Sequence, residues 1–278
     1  MTYAYRNIAV FADATPEGRR VLHQASRLAR EVGAELTLVS GLTPSVVEPS
    51  EAFARGAGAI RGVLAHHAAL DRAEVEEALQ VLNAEISALQ PCAIQFLASD
   101  DANALRFLEC DLMIAAHPAP GGLPVEWSPE RLLSLNGSPL MLVPSAWEGE
   151  APGRHVVIAW NGSRQARRAV THALPLLNQA GRVTVLVVDA IEYLDHGGEK
   201  PGQDMVDYLA HLGVGSVLHE ARSGTDTIAA AIARETARLE GDLVIIGCYS
   251  QSRVFEALFG GVTRTMLTDT SAPLFLSF

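Results

Sequence analysis

The sequence contains an internal repeat, and this repeat limits the architectures that the chain can adopt. Residues 8–13 (Ile-Ala-Val-Phe-Ala-Asp) match residues 156–161 (Val-Val-Ile-Ala-Trp-Asn) after a shift of 148 positions, without a gap. The same shift aligns the helical periodicity that follows each match. Further along, residues 111–116 match residues 242–247 at a shift of 131 positions, so the second copy is 17 residues shorter. The chain therefore consists of two copies of one unit.

Each copy alternates apolar strands with amphipathic helices. The strands are continuous apolar runs such as 243–246 (Leu-Val-Ile-Ile), which is typical of parallel strands covered by helices on both faces. The pattern predicts an α/β fold with two doubly wound, five-stranded parallel sheets of Rossmann-like type in tandem, related by a pseudo-twofold axis. We expect a first domain at 1–146 and a second at 153–278, joined by a charged linker with Pro and Gly.

The predicted element boundaries follow the apolar periodicity in each copy. Strands are expected at 6–12, 35–42, 93–98, 111–116 and 139–143, and then at 154–160, 182–189, 216–222, 242–247 and 273–277. Helices are expected at 15–32, 66–90, 100–109 and 129–136, and then at 163–179, 202–213, 224–239 and 262–270.

The last strand of each copy is an apolar edge. Because exposed apolar edges are usually covered, we expect strand 139–143 to pair with strand 273–277 within one chain, around the pseudo-twofold axis. A homodimer of chains is then optional. The alternative is that each edge is covered by its neighbouring helix.

Composition and charge exclude several classes of partner. The net charge of −11 argues against binding to nucleic acid or to an anionic membrane surface, since both need clustered Lys and Arg. No apolar run reaches the roughly 18 residues of a membrane span, and the N-terminus leads directly into a strand, so we expect a cytoplasmic protein. The three cysteines lack metal-site spacing and are expected to be reduced.

A glycine-rich loop follows the apolar strand 243–246. Gly247 ends the strand, Ser250 lies in the tight turn, and after nine further residues Gly260 and Gly261 open a helix. This arrangement leaves backbone N–H groups available to a phosphate. The alternative is that the glycines only allow a turn and close helix packing. Both interpretations remain open from the residues alone.

On the repeat and this loop, the chain resembles the universal stress proteins over nearly all of its residues. The family's nucleotide motif is Gly-x2-Gly-x9-Gly-Ser/Thr after the fourth strand; here the spacing is kept, with Ser250 for the second Gly and Gly261 for Ser/Thr. The resemblance implies ATP or ADP, with Mg²⁺, as the ligand of the second domain, and the two departures weaken such binding roughly ten- to a hundredfold. The implied contact residues are Asn161, Val188, Gly247, Ser250, Gly260, Gly261, Val262 and Thr263.

The first copy lacks the features of a nucleotide loop. Residues 116–122 (Ala-His-Pro-Ala-Pro-Gly-Gly) replace the loop start, and Trp127 and Pro129 stand near the expected helix opening. Proline removes N–H donors, so we expect no nucleotide there. Asp13 corresponds to Asn161 of the second copy, and it is also interpreted as a helix N-cap, which is the favoured reading.

Three functions are compatible with these features. The first is a ligand-sensing or partner-binding module of the stress response, with weak ATP or ADP binding in the second domain. The second is an interaction scaffold in which both nucleotide sites have decayed. The third, and least favoured, is a hydrolase that uses Asp13 and His117. Neither a Walker lysine nor a GxSxG elbow is present in the sequence, so binding is favoured over catalysis, and we predict no catalytic or metal-ligating residue.

Overall fold

The protein is described by a computed structural model that covers residues 4–13, 15–42, 58–66, 92–98, 105–116, 128–144, 147, 151–190, 202–248, 261–268 and 271–278, with isolated helical positions between 73 and 84. The strands of its first half are β1 (Asn7–Phe11), β2 (Glu35–Leu42), β3 (Cys92–Ala98), β4 (Leu112–Ala116) and β5 (Leu140–Val143). Those of its second half are β6 (His155–Ala159), β7 (Arg182–Val188), β8 (Val217–Ala221), β9 (Leu243–Gly247) and β10 (Leu274–Ser277). Each lies within one residue of its predicted boundaries.

The ten strands form one continuous sheet in the order β3-β2-β1-β4-β5-β10-β9-β6-β7-β8. Neighbouring strands are parallel within each half, and β5 and β10 are antiparallel, with Met141 opposite Phe275. The α/β fold with two doubly wound parallel sheets is therefore confirmed. The expected edge pairing also forms, since β5 and β10 join the halves in the way that a pseudo-twofold axis requires.

Among the described residues, the helices are α1 (Pro16–Val32), α2 (58–66), α3 (Pro129–Asn136), α4 (Arg164–His172), α5 (Leu174–Leu177), α6 (Gln203–His211), α7 (Ile228–Arg238) and α8 (Gly261–Thr268). In the part of the chain that the structure describes, none of them is long and apolar enough to cross a membrane.

Two of the predicted helices differ from the structure, and one further helix was not predicted. The single helix expected at 163–179 is divided at Ala173, because Pro175 has no N–H to donate to the carbonyl four residues earlier. The helix expected at 224–239 begins at Ile228, because the side chain of Thr227 accepts the N–H of Ala230 and caps it there. The structure also contains helix α2 at 58–66, where no helix was predicted, and most of the helix expected at 66–90 lies outside the described residues.

The two halves begin their first helices with the same hydrogen bonds. The side chain of Thr15 caps α1, and Asp13 Oδ1 accepts the Thr15 N–H at 3.0 Å. Asn161 and Ser163 repeat this arrangement at α4, where Asn161 Oδ1 accepts the Ser163 N–H at 3.1 Å. The expectation that Asp13 itself caps the helix is wrong, because Asp13 lies two residues before the N-cap and orients it.

A repeated aspartate ties the fourth strand of each half to the first. Asp111 Oδ2 accepts the N–H groups of Arg6 at 2.7 Å and Asn7 at 3.0 Å. Asp242 accepts three N–H groups, those of residues 153–155, at 2.9 to 3.1 Å. The sequence match between 111–116 and 242–247 therefore has a structural cause, because both carboxylates satisfy backbone donors at the start of a central strand.

The junction between the halves is closed by polar contacts as well as by β5 and β10. The hydroxyl of Tyr5, from the first half, donates to the backbone carbonyl of His172 at 2.6 Å. His172 Nδ1 lies 2.8 Å from Ser277 Oγ on β10. These bonds connect the start of the first half to helix α4 and to the final strand of the second.

Two histidines are buried or partly buried, and their lowered pKa values predict how the free energy of unfolding depends on pH. Burial and the charge of Arg182 lower the pKa of His155, whose Nε2 lies 3.0 Å from Thr184 Oγ1. Burial and the charge of Arg168 lower the pKa of His172. Because the folded pKa values lie below the unfolded value of about 6.5, the unfolded chain binds more protons as the pH falls. The stability that the neutral rings provide is therefore complete above about pH 7 and is lost as the pH falls through the lowered pKa values of the folded protein.

We therefore expect the melting temperature, measured by calorimetry between pH 8 and pH 5, to fall most steeply below pH 6.5. A His155→Gln variant should show a shallower decline than the parent protein. Equal slopes for the two proteins would contradict the role given to His155.

Candidate functional site

A cavity of about 200 Å³ opens at the carboxyl ends of β6, β7 and β9 in the second half. In a doubly wound sheet this edge is the usual place for a ligand. The lining residues are Ala159, Trp160, Asn161, Leu186, Val188, Ile228, Ile232, Ile246, Gly247, Gly261, Val262 and Thr263. They come from three strands and from the N-terminal parts of α7 and α8, which are brought together only by the sheet order.

Most of the cavity wall is aliphatic. Leu186 and Val188 come from β7, and Ile228 and Ile232, one helical turn apart, come from α7. A wall of this kind suits a flat, weakly polar group such as a nucleobase. The volume is below the range of about 300–1,000 Å³ that holds a complete drug-sized ligand, so the described walls have room for part of such a ligand.

The polar groups of the cavity converge near the start of α8. Thr263 is only 3% exposed, and it adds a hydroxyl group to the cavity lining. The first N–H groups of a helix have no partner within the helix, so those from Gly261 onwards are donors at this end of the cavity. Asn161 uses Oδ1 for the Ser163 N–H, which leaves its amide nitrogen as a further donor.

Gly247 is required by close packing. A Cβ at this position would lie 2.3 Å from the backbone nitrogen of Ala166 and 2.4 Å from the carbonyl carbon of Gln165, in the first turn of α4. By contrast, a Cβ at Gly261 would have no atom within 4 Å. The packing interpretation therefore explains Gly247, whereas Gly261 borders open space next to the N-terminus of α8.

Trp160 is a cavity residue that the sequence interpretation did not select. It directly follows β6, it is 4% exposed, and the guanidinium of Arg167 lies 5.8 Å from its ring centroid. Its position between strand β6 and the predicted contact residue Asn161 is the sequence feature that could have identified it as a cavity residue. Ile228 and Ile232 were also missed, because nothing in the sequence shows that α7 packs beside the loop after β9.

The structure brings six of the eight predicted contact residues into this one cavity: Asn161, Val188, Gly247, Gly261, Val262 and Thr263. Their role in binding stays a prediction. Ser250 and Gly260 lie outside the described residues, as do His117 and Trp127 of the first half. Asp13 lies at the equivalent point of the first half, where Thr15 donates both its N–H and its hydroxyl to Asp13 Oδ1.

A charged cluster holds α7 in place behind the cavity wall. Glu235 is 8% exposed, and its Oε2 lies 3.0 Å from His219 Nε2 on β8 and accepts a bond from Arg238 Nε at 2.9 Å. The hydrogen bonds from His219 and Arg238 lower the pKa of Glu235. The cluster joins α7 to β8 and so fixes the helix that carries Ile228 and Ile232.

The comparisons with known proteins identify the fold. No family model matches the sequence, and no curated protein is detectably similar to it in sequence. A universal stress protein from Archaeoglobus fulgidus DSM 4304 superposes with a TM-score of 0.69 at 14% identity, covering 98% of this chain and 95% of that chain. A functionally unknown protein from Pseudomonas aeruginosa PAO1 gives a TM-score of 0.58 at 16% identity, with 99% and 92% covered.

The sheet order and the cavity at the strand ends define a tandem, doubly wound α/β protein. Over its whole length, the chain has the fold of the universal stress proteins, as the sequence resemblance implies.

Proposed function

We propose that this chain is a universal stress protein that binds ATP or ADP in the cavity of its second domain, residues 153–278, and that it acts in the cytoplasm as a ligand-responsive module. The cavity carries this proposal, because its mainly aliphatic wall at the strand ends meets the Thr263 hydroxyl and the N-terminus of α8. A hydroxyl and helix N–H groups at one end of an apolar cavity suit the phosphate or ribose of a nucleotide.

The residues of the cavity fit the parts of a nucleotide. Leu186, Val188, Ile228 and Ile232 would cover the base, and Asn161 with the start of α8 would meet the ribose and phosphates. Since no carboxylate lines the described cavity, Mg²⁺ would be held by the phosphates of the ligand. Binding rather than turnover is proposed, because no general base is found among these residues.

Closing the cavity should abolish binding. Ile228→Trp places a large ring in the space between β7 and α7, whereas Ala230→Trp adds the same ring on the exposed face of the same helix. Calorimetric titration with Mg-ATP and Mg-ADP should give about one site per chain in the parent protein and in Ala230→Trp, with a Kd of roughly 10–100 µM. Ile228→Trp should show no binding, with an unchanged circular dichroism spectrum.

The second candidate function is a scaffold without a nucleotide, and the packing role of Gly247 favours it, because that glycine is explained without any ligand. Absence of binding by the parent protein up to millimolar nucleotide would overturn the nucleotide proposal and leave the scaffold.

A further inference from the structure

The geometry points to Asp189 as a positioning residue that holds the two aliphatic walls of the cavity at the separation a ligand needs. This inference rests on the proposed function, and it concerns a residue that does not itself line the cavity.

Asp189 occupies a backbone conformation that side-chain-bearing residues rarely adopt. It directly follows Val188 at the end of β7 and has a φ of 56°. Within the described part of the chain, Glu240 is the other non-glycine residue with a positive φ, at 55°. Strain of this kind persists only where the surroundings demand it.

The carboxylate of Asp189 is bound at both oxygens by one residue across the sheet. Oδ1 accepts the backbone N–H of Ser223 at 3.0 Å, and Oδ2 accepts the Ser223 hydroxyl at 2.6 Å. The backbone of Asp189 also donates to the carbonyl of Ala221 at 2.9 Å, which continues the pairing of β7 with β8. These donors lower the pKa of Asp189, so the carboxylate stays ionised at neutral pH.

Ser223 links Asp189 to the start of α7 through a hydrogen-bonded turn. Its carbonyl accepts the N–H of Asp226 at 3.1 Å, in the short turn that ends at the N-cap Thr227. Ile228, the next residue, lines the same cavity as Val188. Asp189 and Ser223 therefore connect the end of the β7 wall to the beginning of the α7 wall through one turn.

The first half provides an internal contrast. At the shift of 148 positions, Gly41 corresponds to Asp189 and lies inside β2, opposite Leu97 of β3. Strand β2 therefore extends past the position at which β7 ends, and the residue that follows it in the sequence is Thr43. Among the described residues, the link is found in the half that carries the cavity described above.

The test compares two glycine variants of the full chain that relieve the same backbone strain. Asp189→Gly removes the carboxylate, and Glu240→Gly relieves strain at an exposed position. Since strain relief offsets the lost bonds, we expect the melting temperature of Asp189→Gly to stay within about 2 °C of the parent value. We expect its affinity for Mg-ATP or Mg-ADP to fall by about tenfold or more, because the walls are no longer preorganised. Glu240→Gly should bind within about twofold of the parent protein.

Two further measurements separate positioning from general stability. Asp189→Asn tolerates a positive φ and keeps an acceptor for the Ser223 N–H, so it should recover affinity to within about threefold of the parent. Without ligand, hydrogen exchange at 222–232 should be faster in Asp189→Gly and unchanged in Glu240→Gly.

Parent-like affinity in Asp189→Gly would overturn the inference and leave nucleotide binding intact. Equal losses in both glycine variants would also overturn it, since they would show a general effect of the substitution. Absence of binding by the parent protein would overturn both this inference and the proposed function.

Discussion

Replacing Gly247 by alanine is expected to destabilise the protein by about 3 kcal/mol, the upper part of the usual range for overpacking. The added Cβ would lie 2.3 Å from the nitrogen of Ala166 and 2.4 Å from the carbonyl carbon of Gln165. Both are backbone atoms of helix α4, so no side chain can rotate away, and the helix must move from the sheet. Differential scanning calorimetry should show a melting temperature lower by roughly 6–12 °C.

The matched control is Gly215→Ala, since a Cβ at Gly215 has no atom within 4 Å and its φ is not positive. It should change the free energy of unfolding by less than about 0.5 kcal/mol. A loss below about 1 kcal/mol in Gly247→Ala would show that α4 has room to shift and that the packing role is overstated. Because α4 begins beside Asn161, nucleotide affinity should fall together with stability in Gly247→Ala.

Truncating Phe275 to alanine should have the other large effect, a loss of about 3–5 kcal/mol. Phe275 is fully buried on β10, lies opposite Met141 of β5, and pairs on its other side with Ile245 of β9. Removing the ring leaves a cavity at the strand that joins the two halves. Denaturant unfolding followed by circular dichroism and by tryptophan fluorescence should both shift to lower midpoints, since both halves contact this strand.

Val217→Ala is the control for this substitution, because Val217 lies on the outer strand β8 and is 53% exposed. Its cost should be within about 0.5 kcal/mol. A shift of the same size in both variants would contradict the proposed role of the β5 and β10 junction.

Much of the fold was predictable because its signals are local. The buried parallel strands are uninterrupted apolar runs, so every strand was located within one residue. The antiparallel pairing of β5 with β10 also followed, because two repeated apolar edges need a partner. The errors lay where one residue decides a helix boundary, as with Pro175 within the predicted helix 163–179 and the N-cap Thr227.

The candidate site was predictable only in part. The contact residues at the strand ends and at the start of α8 could be predicted, because a motif spacing marks them. Six of those residues lie together in the cavity. Ile228 and Ile232 could not be predicted, since an aliphatic residue on a helix has the same sequence pattern whether it packs in the core or lines a cavity. The role of Asp13 was misassigned because the sequence does not distinguish an N-cap from the residue that orients it.

The amino-acid sequence alone establishes the two-copy organisation, the strand positions and the edge through which the copies join, because each depends on repeats and on neighbouring residues. The tertiary structure decides why Gly247 must be a glycine, which walls enclose the cavity, and how Asp189 meets Ser223, 34 positions away in the chain. These features depend on distances between elements that are remote in sequence. Such distances are fixed by the order of strands in the sheet and by the packing of helices on it.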